Sequence, residues 1–185
     1  MFFLRSLFIG LIALVLMGAS SQAQENGHIK IEGTSTMHNW EAHSDVIKGS
    51  VKIDGIKLTG SVNIPANSFK SDSSTMDKNM FTALKAQKYP EIMYKFLTVR
   101  VINGMDDKQN ATLETKGDLI IAGVKRTITL PLKIKKLSDN RMEITGNYKL
   151  KMTDYSVAIP KFLFGMVKTG NDVEVSWDWT ISLKT

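Results

Sequence analysis

Apolar and polar residues alternate along most of the chain, and a period of two is that of a β-strand. The segment EVSWDWTISL, residues 174–183, is a clear case, because Trp177, Trp179 and Ile181 share one face and polar residues occupy the other. The same alternation predicts eight strands, at about 29–41, 46–54, 56–64, 92–102, 111–121, 125–137, 141–153 and 173–184. Each strand therefore has one face for solvent and one for an interior.

Short turn signals join several of these strands. Asp54-Gly55, Ala122-Gly123 and Ser138-Asp139-Asn140 are typical of tight hairpin turns. Successive hairpins form an up-and-down meander, and closing a meander into a barrel removes its exposed edges. The sequence therefore predicts an all-β fold, an eight-stranded antiparallel β-barrel.

One segment, residues 65–91, interrupts the meander with a helical pattern. Ser73 or Ser74 as the N-cap, Asp77 in the first turn and Pro90 beyond the end predict one short helix at about 73–88. Its apolar face has helical spacing and consists of Met76, Met80, Phe81 and Leu84.

A second interruption is the long connection predicted over residues 154–172, which carries several large apolar side chains, Phe162, Leu163, Phe164 and Met166. Long loops of this kind are more often lids or binding loops than plain connectors. We expect this apolar loop, together with the helix, to lie at the mouth of the barrel.

The predicted interior is apolar and aromatic. A barrel of eight strands is either just filled by its side chains or able to hold one small ligand, and a filled core explains any single inward aromatic residue. The combination of inward tryptophans, a methionine-rich helix face and an aromatic loop favours a cavity. The candidate ligand-binding residues are Trp40, Met76, Met80, Phe81, Leu84, Tyr148, Met152, Phe162, Phe164, Met166, Trp177 and Trp179.

The N-terminal residues, MFFLRSLFIGLIALVLMGASSQAQ, have the pattern of a secretory signal peptide. Cleavage is expected after Ala23, which leaves one domain, residues 24–185. The apolar run is short for a membrane span, and we expect no stable membrane insertion once it is removed. The chain has no cysteine, so disulfide bonds and a lipidated N-terminal cysteine are excluded. These features predict a periplasmic or secreted protein.

The charge pattern argues against nucleic-acid binding. The formal net charge is +6, but the lysines stand singly on alternating strand positions, as in IKIEG and VKIDGIKL. Such spacing is typical of a solvated outer face rather than a basic patch.

The sequence shows no arrangement of catalytic residues. There is no cysteine, no G-x-S-x-G motif and no carboxylate on the apolar face of the later strands, so we predict that the protein is not an enzyme. His38 and His43 would point to opposite faces of one predicted strand, so no metal site is expected.

Two residues could contact a polar group at the barrel mouth. His38 would share the face of Trp40. Arg126 is a basic residue on an apolar face, between Val124 and Ile128. It could bind a phosphate or quinone oxygen, or it could be a strand-start residue whose head group reaches solvent.

Four segments resemble the YceI-like proteins, lipocalin-like barrels similar to polyisoprenoid-binding carriers of the bacterial envelope. They are GTSTMHNWEAHS (33–44), MFTALKAQKYPEIMYKF (80–96), GDLIIAGVKRTITLPLKI (117–134), and KMTDYSVAIP with GNDVEVSW (151–160 and 170–177). The resemblance implies a lipocalin-like barrel that holds a long-chain isoprenoid lipid, of polyprenyl or quinone type, for transport, storage or sequestration. It implies no cofactor, and it adds Asp77 to His38 and Arg126 as a candidate head-group contact. The alternative is a filled barrel that acts through its outer surface as an interaction or stress-response module.

Overall fold

Strands make up most of the structure, which is a computed structural model that describes residues 21–23, 27–54, 57–138, 141–162 and 167–182. The strands are β1 (Ser21–Ala23), β2 (Gly27–Ser35), β3 (Trp40–Ser44), β4 (Lys48–Asp54), β5 (Lys57–Pro65), β6 (Glu91–Asn103), β7 (Asn110–Ile121), β8 (Val124–Ser138), β9 (Arg141–Lys151), β10 (Lys161–Phe162) and β11 (Val167–Ser182). The described helices are α1 (Ser74–Ala83) and two 3₁₀ turns, Ala66–Ser68 and Met152–Tyr155.

All described strand pairings are antiparallel, and the strands form one curled sheet in the order β1-β4-β5-β6-β7-β8-β9-β11-β2-β3, with β10 beside β11. The prediction of an all-β, lipocalin-like barrel with one short helix is confirmed. The sheet joins the N-terminal strand β2 to the C-terminal strand β11, so the meander curls back on itself.

The structure describes nine strands of at least five residues where eight were predicted. The difference arises because the segment predicted as one strand, 29–41, is the hairpin β2–β3. The Ser35 hydroxyl donates to the His38 carbonyl at 2.8 Å and accepts the Met37 and His38 N–H groups at 3.2 Å. These local bonds hold a turn that a serine side chain favours over continued strand.

One predicted turn and one predicted strand boundary can be compared with the structure, whereas the turns at 54–55 and 138–140 extend outside the described residues. Ala122 and Gly123 both have positive φ, 49° and 80°, between the paired residues Ile121 and Val124. Positive φ at both central residues is the type I′ geometry of a tight hairpin, as expected from the sequence. The last strand was predicted to begin at residue 173, which was wrong: β11 begins at Val167 and pairs with β10.

Helix α1 begins where the sequence predicts but ends earlier. The Ser73 hydroxyl accepts the Met76 N–H at its start. At its end, Lys85 has a positive φ of 53°, and the Ala86 and Lys85 N–H groups bond to the Phe81 and Thr82 carbonyls. This pattern is a Schellman motif, which terminates a helix, so the predicted extension to residue 88 was wrong.

The β3 end of the hydrogen-bonded path meets the segment that follows β5 at a seam. His43 and Lys70 exchange backbone hydrogen bonds of 2.8 Å across this seam, and the Ser44 and Ser68 hydroxyls lie 2.6 Å apart. Phe69, only 1% exposed, lies behind it. In the described chain the seam is thus held by an isolated bridge rather than a ladder.

Most of the buried apolar residues form two clusters. The helix-end cluster consists of Ala66, Leu84, Ala86, Ile121, Ala122, Met152, Tyr155, Val157 and Val173. The seam cluster consists of Ile29, Ile47, Ile64, Phe69 and Trp179. One end of the barrel is therefore packed by α1 and the 152–157 segment, and the seam is packed from inside.

Candidate functional site

Each of the three tryptophans lies directly across from a glycine in the neighbouring strand. The register pairs are Trp40 with Gly33, Trp177 with Gly146, and Trp179 with Gly27. A Cβ atom added to any of these glycines would overlap the opposite indole ring. Each ring therefore occupies the space that its neighbour's side chain would otherwise fill.

This arrangement determines where the indoles point. A ring that covers the backbone of the next strand lies along the barrel wall rather than across the lumen. Glycine in a strand commonly marks such a close approach. The Trp177 ring thus leaves the central volume beside it open, which is the first requirement of a ligand cavity, whereas the Trp179 ring extends from Gly27 to Gly49 of β4 and packs within the seam cluster.

The inner wall formed by β6 to β9 is apolar but incompletely covered. Its inward residues are half-buried and belong to neither cluster; they include Phe96, Leu113, Ile128, Leu130, Leu132 and Tyr148. Trp177 is also half-buried and packs against the seam cluster from one side. A filled core would bury these residues, so this part of the interior is accessible to solvent.

The structure places the other candidate residues at several separate locations. Met80, Phe81, Leu84, Met152 and Trp40 pack at the helix end, where they close the barrel. Trp179 is buried in the seam cluster, whereas Met76 is half-buried on the outer part of α1. Phe162 lies in β10, whose backbone pairs with β11. Phe164 and Met166 lie outside the described residues, as does the tip of the predicted loop.

Asp77, one of the candidate head-group contacts, is engaged within the protein. Its carboxylate accepts hydrogen bonds from the Ser71 N–H at 2.8 Å and the Ser71 hydroxyl at 2.7 Å. These bonds, chiefly the one from the hydroxyl, hold the pKa of Asp77 below its usual range. Asp77 therefore fixes the segment that enters α1.

Arg126 and His38 differ in their surroundings. The Arg126 Nε donates to the Asp154 carbonyl at 2.6 Å, and its guanidinium lies 6.0 Å above the Tyr155 ring. It also pairs with the Asp154 carboxylate at 3.5 Å. His38 lies exposed in the β2–β3 turn and not in a strand, so the prediction that it shares the strand face of Trp40 was wrong.

A buried donor inside the barrel has no partner. The Trp179 Nε1 is one of two buried side-chain polar atoms without a hydrogen bond in the described chain; the other is Asn63 Oδ1. An unpaired buried N–H costs free energy, so this donor is a local weakness of the seam cluster. Sequence reasoning placed this residue in the interior but could not show that its donor is unpaired.

A cleft of about 480 Å³ opens between β8 and β9, which sequence reasoning missed. It combines inward apolar residues with charged ones and is lined by Arg126, Thr127, Ile128, Tyr148, Lys149, Leu150, Lys151, Asp154, Tyr155 and Asp172. The cleft therefore connects the half-buried inner wall with solvent through the side of the barrel.

Burial, with a smaller contribution from the nearby Tyr148, raises the pKa of Tyr155, at the inner end of this cleft, to about 12. Because the pKa of Tyr155 is higher in the folded than in the unfolded chain, the unfolded chain ionises first as the pH rises above about 10. The stability that the neutral phenol provides is therefore complete below about pH 10 and is lost between about pH 10 and 12. We expect Tyr155→Phe, which cannot ionise, to lose less stability than the natural protein over this window. Urea unfolding midpoints of both proteins, measured between about pH 10 and 12, test this expectation. Equal slopes of midpoint against pH for the two proteins would contradict the raised pKa of Tyr155.

Within the described residues, no helix is long and apolar enough to cross a membrane. The same part of the chain holds no group of three or more histidine or acidic side chains arranged to bind a metal ion.

Comparisons with known proteins agree with this architecture. A family model for the YceI-like domain matches residues 19–181. A polyisoprenoid binding domain from Saccharophagus degradans has a TM-score of 0.72 at 14% identity, covering 90% of this chain and all of its own. BcnA of Burkholderia cenocepacia has a TM-score of 0.69 at 14% identity, covering 83% of this chain and 95% of its own. A Campylobacter jejuni YCEI protein has a TM-score of 0.60 at 18% identity, covering 78% and 85%.

No curated protein matches the chain by sequence. The solved structures are distant enough in sequence that they carry the fold alone, whereas the family model spans nearly all of the barrel, from β1 into β11. The resemblance of the four sequence segments is thereby confirmed, and the chain belongs to the family of YceI-like domain proteins.

Proposed function

We propose that the protein binds a long-chain isoprenoid lipid, of polyprenyl or quinone type, inside its barrel and performs no catalysis. The observation that carries the proposal is the seating of all three tryptophans on glycines, beside an inner wall of half-buried apolar residues. An apolar surface that is inward-facing but uncovered is what a flexible apolar chain would cover.

The energetics favour a long apolar ligand. Burial of apolar carbon is worth about 0.8 kcal/mol per CH₂, and association costs about 4–15 kcal/mol in lost freedom. A few isoprene units therefore offset the cost without strong polar contacts.

The comparisons give further support. The Saccharophagus degradans domain of the same fold is described as binding polyisoprenoid. The proposal for this chain extends to export, with residues 1–23 as a signal peptide, and to transport, storage or sequestration of the lipid in the periplasm or outside the cell. Cleavage after Ala23 would remove β1, which pairs with β4.

The proposal is tested on protein purified from the periplasmic or secreted fraction of its native host. Organic extraction and mass spectrometry should find a long-chain isoprenoid in about molar amounts, and N-terminal sequencing of the same sample should begin near Gln24. After delipidation, added solanesol, a long-chain polyprenol, should co-elute with the protein and change its tryptophan emission.

Single tryptophan-to-phenylalanine variants identify the reporter, because an aromatic exchange keeps most of the apolar surface. The emission change should depend on Trp177 or Trp179 and persist in Trp40→Phe, whose ring packs at the helix end. Absence of extractable lipid together with no response to solanesol would contradict the proposal and favour a surface-acting module.

A further inference from the structure

The ladder between β8 and β9 stops halfway along the two strands. Their register runs from Lys133 with Thr145 to Ser138 with Arg141, and the described pairing includes no residue of β8 before Lys133. Along the split both strands remain paired on their other sides, β8 with β7 and β9 with β11. The barrel wall is therefore split between two intact pairs of strands.

The sequence explains why the split begins where it does. Pro131 lies two residues before the first paired residue of β8, and proline has no N–H to donate to a ladder. Across from it, Gly146 still approaches closely, because a Cβ there would lie 2.8 Å from the Pro131 carbonyl oxygen. Beyond this point, β8 and β9 run on as two unpaired edges.

The split is a window with two fixed ends. The paired residues Lys133 and Thr145 close one end. The other end is closed by Arg126, whose Nε and guanidinium hold Asp154 at the start of the connection after β9. The residues between, 146–151 of β9, extend about 20 Å at strand rise.

The two faces of the window differ in character. Inside stand half-buried apolar side chains, among them Ile128, Tyr148 and Leu150. Outside stand Lys149 and Lys151, whose ion pairs with Glu174 at 3.5 Å and Asp172 at 2.7 Å are exposed. Exposed ion pairs contribute little free energy, so these two lysine side chains can move aside from the window at small cost.

We propose that this window between β8 and β9 is the route by which the lipid chain enters and leaves the barrel. This proposal rests on the proposed lipid-binding function and adds to it the path that the lipid takes into the barrel. The helix end does not offer an alternative, because α1 and the helix-end cluster close it. At the opposite end, Ile134 and Met142 are buried.

The test closes the window reversibly. The natural chain has no cysteine, so Thr127→Cys with Lys151→Cys introduces the only two thiols. Both positions are exposed and line the cleft, and exposed substitutions usually perturb folding little. A short bis-methanethiosulfonate linker joins the thiols across the split, and a reductant removes it. Uptake and release of solanesol and of a long-chain ubiquinone are then followed by tryptophan emission.

An entry route affects the activation barrier for passage of the lipid but not the free energies of the free and bound states. Linking the two cysteines should therefore slow uptake and release by a similar factor, about ten-fold or more, at unchanged Kd. The matched control joins Lys133→Cys to Thr145→Cys, where the strands are already paired, and should leave both rates unchanged. Circular dichroism of the linked and cleaved forms shows that the fold is the same in each.

The outcomes separate the route from the function. Rates that are equal in the linked and cleaved forms overturn the route while the lipid-binding function stands. A change confined to the release rate also overturns it, because it would make the window part of the binding site. If the cleaved form binds neither lipid, the proposed function fails, and the route fails with it.

Discussion

Replacing Trp179 with alanine should lower the free energy of unfolding of the lipid-free protein by about 3–5 kcal/mol, the usual cost of removing a buried tryptophan. Trp179 is 6% exposed within the seam cluster, so its ring leaves a cavity when removed. Trp177→Ala should cost distinctly less, about 1–2 kcal/mol, because the Trp177 ring is half-buried and already faces an uncovered inner wall.

Urea unfolding of the two variants measures this difference, and comparison of the slopes shows whether the unfolded states are alike. Trp177→Phe and Trp179→Phe serve as controls that keep an aromatic ring. Saturating solanesol should stabilise the natural protein more than Trp177→Ala, because a ligand that binds only the folded state stabilises it according to its affinity. Equal losses of about 3–5 kcal/mol for both alanine variants would indicate a filled barrel.

Phe69→Ala should be about as damaging as Trp179→Ala, with a loss of about 3–5 kcal/mol, because Phe69 is 1% exposed behind the seam. The effect should extend beyond packing. Lys70, the next residue, forms the backbone bridge to His43, so loss of the ring should also loosen this closure. Hydrogen exchange at the His43 and Lys70 amides should accelerate more than exchange in the β6–β7 ladder.

Phe69→Leu is the matched control, since it keeps an apolar side chain at the seam and should cost less than the truncation. Uniform acceleration of exchange across all strands would show that Phe69 supports the whole core and not the seam in particular.

Much of the fold follows from local patterns. Alternation located most of the strands, and Ala122-Gly123 predicted the tight turn between β7 and β8. The β2–β3 hairpin was missed although a signal was present. Inward residues have odd numbers in β2, such as Ile29 and Ile31, but even numbers in β3, such as Trp40 and Ala42, and such a change of parity indicates a turn.

The site was less accessible to sequence reasoning, because it depends on register. The sequence shows Trp177 and Gly146 but not that they are opposite each other, and only that pairing shows the ring lying against the wall. The window has a local signal in Pro131, since proline is rare inside a central strand. That Pro131 marks a gap in the barrel wall becomes apparent only when β9 is known to lie beside β8. Likewise, Asp77 was placed correctly in α1, but its bonds to Ser71 depend on the path of the chain before the helix.

The pairing of β2 with β11 has a consequence for synthesis. These strands stand near opposite ends of the chain, so the barrel has a high contact order, and its completion requires a slow, long-range association. A nascent chain that lacks its last strand leaves the edges of both β2 and β9 unpaired. The polypeptide therefore stays incompletely folded until β11 has been made, and during that interval its open strand edges are prone to aggregation.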